Sequence, residues 1–129
     1  MLHHSSHLHA TSDQWVVFVH GAGGSSAIWF AQVRAFRKQF NVLLVDLRGH
    51  GKSKHYANVV KRYTFDMIAK EVLQVLDHLQ IEKAHFIGIS LGTIVIREIA
   101  EKHPQKVSSL VMGGAVMKLN LSGQFLMRL

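Results

Sequence analysis

Ser90 lies at the centre of Gly88-Ile89-Ser90-Leu91-Gly92, between a strand-like run, Ala84–Ile89, and a helix-like run over residues 91–103. Glycine on both sides lets the backbone reverse sharply. A serine on such a strand-to-helix turn holds its hydroxyl clear of the sheet at the strand's carboxyl end, which is the geometry of a nucleophile elbow. The chemistry in reach is attack on an acyl carbon with a serine ester as intermediate. A hydroxyl is a poor nucleophile at neutral pH and needs a base, and the oxyanion it creates needs hydrogen-bond donors. The helix dipole behind Ser90 favours that negative charge. The backbone N–H of Leu91 is one donor. The second is expected from the glycine-bearing loop after His20-Gly21, with Ala22 ahead of Gly23.

The elements that must hold this serine are legible in the hydrophobic pattern. Trp15–Val19 is a continuous β-branched and aromatic run, as in a strand buried on both faces of a parallel sheet, and it ends in His20-Gly21-Ala22-Gly23-Gly24. Ser25 or Ser26 then caps a helix expected to run to about Phe40, with Trp29, Val33, Phe36 and Phe40 on one side and Arg34, Arg37 and Lys38 in water. Asn41 closes it. A second buried strand over residues 42–45 leads into Asp46-Leu47-Arg48-Gly49-His50-Gly51-Lys52-Ser53. Residues 54–63 are irregular and basic, as in a surface connection. Thr64 is an N-cap for a helix whose stripe is Phe65, Ile68, Ala69, Val72, Leu76 and Leu79.

The elbow strand comes third. Its helix buries Val95, Ile96, Ile99 and Ala100, pairs Arg97 with Glu101 and Glu98 with Lys102 on the outside, and stops at Pro104. Residues 107–112 form a fourth strand, and no period follows it from 115 to 129. Strands alternating with helices make the class α/β, an open doubly wound, mostly parallel sheet. The His-Gly loop, the Asp-Leu-Arg-Gly loop and the elbow all fall at strand carboxyl ends, where such sheets collect reactive groups.

A chain of 129 residues with 48% hydrophobic and 18% charged residues suits one globular domain. It divides into a polar, His-rich arm or edge strand over 1–14 and the domain proper over 15–129. No apolar stretch approaches the ~20 residues of a membrane helix, and the N-terminus lacks a signal peptide's apolar core. With no cysteine, disulfides and thiolate metal sites are excluded, and a cytoplasmic setting is expected. The net charge of +7 raises the question of a nucleic-acid partner. The basic residues are dispersed, no nucleic-acid motif accompanies them, and they read as a solvated face. His3, His4, His7 and His9 stand in the arm, and His7 with His9 would share one face of a strand. No carboxylate or cysteine stands at ligand spacing, so no metal is expected there.

In their order, His20-Gly21-Ala22-Gly23-Gly24, the Asp46-to-Ser53 loop and Gly88-to-Gly92 resemble the N-terminal half of an α/β-hydrolase, over residues 15–116. The resemblance is in the style of that family's small esterases, lactonases and thioesterase-like members. It implies Ser90 as catalytic nucleophile, Ala22 and Leu91 as oxyanion-hole donors, a small-molecule acyl substrate and no cofactor. It also implies that His20 holds its loop rather than exchanging protons, and that Asp46 and Arg48 clamp a turn at the rim. Trp29, His50 and Met117 are the expected contributors to the pocket wall.

The family's acid and histidine follow the serine in the chain order Ser, Asp or Glu, His. After Ser90 the only histidine in these 129 residues is His103, at the far end of the same helix, and no aspartate follows at all. Glu98 and Glu101 face outward. The C-terminal strands and cap of the family pattern are absent, so the expectation is a chain inactive alone. It would be completed by a complementary C-terminal segment or by self-association. The alternative is a non-catalytic binding or interaction module of the same fold.

Overall fold

The computed structural model describes residues 1–58 and 64–114. Strands β1 (His4–His7), β2 (Trp15–Val19), β3 (Asn41–Val45), β4 (Ala84–Ile89) and β5 (Val107–Gly113) form one sheet in the order β1-β3-β2-β4-β5. All pairs are parallel except β1 with β3, where the arm returns antiparallel as an edge strand. Helix α1 (Phe30–Phe36) covers one face, and α2 (Phe65–His78) and α3 (Leu91–Lys102) cover the other.

Strands β2 and β3 are buried on both sides, which is why their sequences are unbroken apolar runs. Val17, Val19, Leu43 and Val45 pack under α2 and α3 against Val72, Leu76, Val95, Ile96 and Ile99. On the opposite face Val16, Phe18, Val42 and Leu44 meet Trp29 and Val33. The Phe18 and Trp29 rings lie 4.8 Å apart, so Trp29, expected at the pocket wall, is a core residue. Met117, the other apolar residue expected there, lies outside the described residues.

The first helix is shorter than its apolar spacing suggests. Ser25 caps a 3-10 turn, Ser26–Trp29, by accepting from the Ala27 N–H, and α1 itself ends at Phe36. The Phe36 carbonyl then accepts from both Gln39 and Phe40, a turn that leaves the Phe40 ring 6.0 Å from Phe36. Phe40 thus reaches the core without helical backbone, which is what the spacing could not distinguish. Asn41 does more than close a helix. Its side-chain oxygen accepts from the His9 N–H at 2.7 Å and its amide donates to the Ser12 carbonyl at 2.8 Å, which ties the arm to β3.

The second and third helices follow their sequence signals. Thr64 Oγ1 accepts from Met67 N–H as the N-cap of α2. On α3, Lys102 pairs with Glu98 at 2.7 Å and Arg97 with Glu101 at 3.7 Å; Ala100 is half-buried rather than buried. Between β3 and α2, Arg48 makes a two-pronged contact to Glu71, from Nε to Oε1 at 3.0 Å and from Nη2 to Oε2 at 2.5 Å. The Arg48 side chain is buried and that of Glu71 is mostly so, at 7% and 11% exposure.

Removing one partner of a buried ion pair strands the other charge. Glu71→Gln should therefore lower the unfolding free energy by about 3 kcal/mol, whereas Glu101→Gln, in an exposed pair, should change it by less than about 0.5 kcal/mol. Urea denaturation followed by circular dichroism reads both.

Candidate active site at the carboxyl edge of the sheet

Ser90 caps α3 in a conformation few side chains adopt, with φ 49° and ψ −119°. Such a backbone costs on the order of 1–3 kcal/mol and persists only where its surroundings impose it. Glycine contacts impose it here. A Cβ on Gly92 would collide with the Val19 carbonyl oxygen, and one on Gly88 would sit 2.8 Å from the Gly92 carbonyl carbon. The end of β2, the end of β4 and the first turn of α3 are thus packed backbone on backbone. Ser90 N–H donates to the Gly113 carbonyl at 3.1 Å, while its own carbonyl accepts from Thr93 Oγ1 and N–H. The residue is exposed.

The loop after β2 comes up against this serine. A Cβ on Gly21 would lie 3.0 Å from Ser90 Cβ and 3.6 Å from its Oγ. Of the three backbone N–H groups that follow Gly21, that of Gly23 donates to His50 Nε2 at 3.0 Å and that of Gly24 to the Gly21 carbonyl at 3.1 Å. Ala22, exposed at the crest of the turn, carries the third. Leu91 is the first residue of α3, where a helix leaves its N–H groups without intrahelical acceptors.

Both imidazoles near this loop are committed elsewhere. His20 is fully buried; its Nδ1 donates to the Gly21 carbonyl at 2.7 Å and its Nε2 accepts from the Leu47 N–H at 3.0 Å. His50 donates from Nδ1 to the Arg48 carbonyl at 2.9 Å, and its Nε2 accepts from Gly23. The two rings lie 5.1 Å apart. His50, expected only as a wall residue, is therefore a strut for the Gly23 end of the loop, a role that its place between two glycines did not announce. His103 stands just beyond the last residue of α3, about 20 Å along the axis from Ser90 at 1.5 Å per residue.

Asp46 anchors the loop from below. Its Oδ1 accepts from Ser26 N–H at 2.8 Å and its Oδ2 from Lys52 N–H at 3.0 Å, with Ser53 Oγ donating to its carbonyl at 2.7 Å. Burial alone would raise its pKa. The N–H groups of Ser26 and Lys52 outweigh that and, with the Ser26 hydroxyl and His20, hold the carboxyl below its ordinary 3.8. Gly51, at φ 49°, is needed beside it, because a Cβ there would sit 2.6 Å from Asp46 Oδ2.

In the arm, His9 lies beyond β1, its Nδ1 accepting from Thr11 and Ser12 N–H and its Nε2 donating to the Lys38 carbonyl. It does not share a strand face with His7. Among the described residues no group of three or more His, Cys, Asp or Glu side chains is placed to hold a metal ion, and no helix is long and apolar enough to cross a membrane.

A glycine-locked serine at a strand-to-helix turn, with a glycine loop pressed against it, agrees with the comparison to known proteins. Residues 14–127 match the model of the alpha/beta hydrolase fold. The chain belongs to this family. It is 38% identical over 112 residues to the dihydrolipoyllysine-residue acetyltransferase component of the acetoin cleaving system of Pseudomonas putida, a match covering 86% of this chain and 30% of that protein. With 3-oxoadipate enol-lactonase 1 of Acinetobacter baylyi it shares 33% identity over 104 residues, 81% of this chain and 38% of the relative. Among solved structures, a hydrolase from Pseudomonas aeruginosa superposes with a TM-score of 0.84 at 32% identity, covering 97% of this chain and 46% of that one. The chain spans less than half the length of each of these relatives.

The His20 contacts have a pH signature. Burial, above all, and the His50 imidazole push the His20 pKa below its ordinary 6.5, against the pull of the Gly21 carbonyl and the Asp46 carboxylate. The unfolded chain then binds the proton first, so stability falls as pH drops below about 6.5. The Asp46 contribution is lost only at lower pH, below 3.8. Urea midpoints taken between about pH 7.5 and pH 5 should decline in the wild type. They should decline less steeply in His20→Gln, which starts lower because the buried ring is gone.

Proposed function

We propose that this chain is the nucleophile-bearing part of a serine hydrolase that cleaves a carboxylic ester, thioester or lactone through an acyl-enzyme on Ser90. The observation that carries the reading is the locked elbow itself. An exposed Oγ at the sheet's carboxyl edge faces a loop in which the N–H groups of Gly23 and Gly24 are spent, leaving that of Ala22 to join Leu91. Ser90 Oγ adds to the acyl carbon as its proton passes to an imidazole base. Ala22 and Leu91 N–H hold the oxyanion, a contribution on the order of 10² to 10³ in rate per donor. Collapse expels the alcohol or thiol, which takes the proton back from the imidazolium. Water then repeats the addition, and the acid leaves with Ser90 restored.

The base and its orienting acid would come from a complementary C-terminal segment. One edge of the sheet supports this reading. β5 stands at one end of the strand order, and on the α1 side Ile87 and Ile89 are only partly buried while the neighbouring Val111 is 55% exposed. An added strand along β5, with a helix over that face, would cover both; association of two copies through the same edge is the other way to cover them. A cytoplasmic setting and an acyl substrate of small-molecule size complete the reading, and the enol-lactonase likeness supports a lactone or ester as that substrate.

One observation favours the competing reading of a non-catalytic module: His20 and His50 are both fully engaged in holding backbone, so neither is free to serve as base. A fluorophosphonate probe separates the two. Applied to the full-length protein, or to this chain combined with a segment bearing the histidine and acid, it should leave an adduct on Ser90. Ser90→Ala should abolish the adduct and lower kcat by at least about 10⁴-fold. Absence of the adduct while a control hydrolase reacts would refute the nucleophile assignment.

A further inference from the structure

Basic residues that are dispersed in the sequence are brought together by the fold at a place remote from Ser90. Between α1, the edge strand β1 and the loop after β3 lies a cavity of about 660 Å³ whose lining includes neither Ser90, Ala22 nor Leu91. One wall is made by Phe30 and Arg34 of α1 and by its C-cap residue Arg37, at the i, i+4, i+7 spacing that puts them in line. The floor is Leu44 with Ser5 and His7, alternate residues of the edge strand β1, and His3 just before it. Lys52 closes the end beside Asp46.

Charge and apolar surface are arranged here in a way that a solvated face does not require. Phe30 is 73% exposed, an uncovered aromatic ring beside two guanidinium groups. Among the described residues Arg34, Arg37 and Lys52 have no ion-pair partner, whereas five other cationic side chains, Arg48, Lys70, Arg97, Lys102 and Lys106, are each paired with a carboxylate. The single carboxylate in the cavity, Asp46, offsets one of these three charges and leaves a net positive excess. Asp46 directs its two oxygens to the N–H groups of Ser26 and Lys52. Three positive charges, one carboxylate and two imidazoles thus share one concavity with a net positive charge, whose volume falls within the usual span for a small-molecule site of roughly 300–1,000 Å³.

We propose that this groove binds an organic phosphate, with its phosphate held by Arg34, Arg37 and Lys52 and an apolar or aromatic body lying on Phe30 and Leu44. Guanidinium groups suit the purpose because their planar fork meets phosphate oxygens two at a time. The imidazoles of His3 and His7 supply further donors when protonated. The site is separate from the acyl chemistry proposed for Ser90, and nothing in it depends on a triad.

The test uses the chain as it stands. Phenyl phosphate titrated by isothermal calorimetry at low salt should bind with a Kd below about 1 mM, more tightly than either inorganic phosphate or benzoate, and salt should weaken it. Arg34→Gln/Arg37→Gln should lose at least about tenfold in affinity. Lys38→Gln/Lys83→Gln, which removes the same charge from positions outside the groove, should not. Circular dichroism confirms that both variants are folded. No saturation by phenyl phosphate, or equal weakening in the two double variants, would overturn the proposal, the latter by reducing binding to net charge.

Discussion

Gly92 has no side chain because the carbonyl oxygen of Val19 occupies the space one would fill. On that contact depends the approach of α3 to the ends of β2 and β4, and on that approach the unusual backbone of Ser90. Gly88 and Gly21 repeat the device on either side, one against Gly92 and one against Ser90 itself. The strain at φ 49° is therefore held by rigid backbone rather than by a side chain that might yield. Ser90 is kept exposed by the same packing that buries Leu91 and Gly92 beneath it.

Around the elbow the chain uses ordinary polar contacts to fix the second loop. A line of hydrogen bonds runs from the Gly23 N–H to His50 and on to the Arg48 carbonyl, and from His20 to Gly21 on one side and to Leu47 on the other. Arg48 is in turn clamped to Glu71 on α2, and Asp46 reaches the N-terminal turn before α1. The Asp46-to-Ser53 loop is thus the joint at which both helical layers and the glycine loop meet. Its motif residues work as brackets for backbone, which accounts for a histidine, an arginine and an aspartate beside a candidate active site without proton chemistry of their own.

The buried strands could be read directly because both faces of β2 and β3 are covered, so composition alone marks them. The elbow was legible for a related reason: its glycines are demanded by contact geometry that almost no other residue meets. Where side chains reach the same place by different backbone routes, sequence was a poorer guide. Phe40 packs beside Phe36 through a turn, although its spacing suited one more helical turn. Trp29 at the expected rim proved to be core because Phe18 draws its ring inward. The meeting of Arg34, Arg37 and Lys52 depends on the antiparallel return of β1 and the placing of α1 beside it, relations between elements that spacing along the chain does not encode.

The likeness to these relatives extends over less than half of their length, and the elbow with its glycine packing lies wholly within the matched residues 14–127. Gly92→Ala measures it most directly. If backbone contact at Val19 sets the elbow, the added methyl should lower the unfolding free energy by about 3 kcal/mol, and a structure of any folded fraction should show Ser90 displaced from its left-handed conformation. An alanine variant with wild-type stability and an unchanged Ser90 backbone would contradict the account.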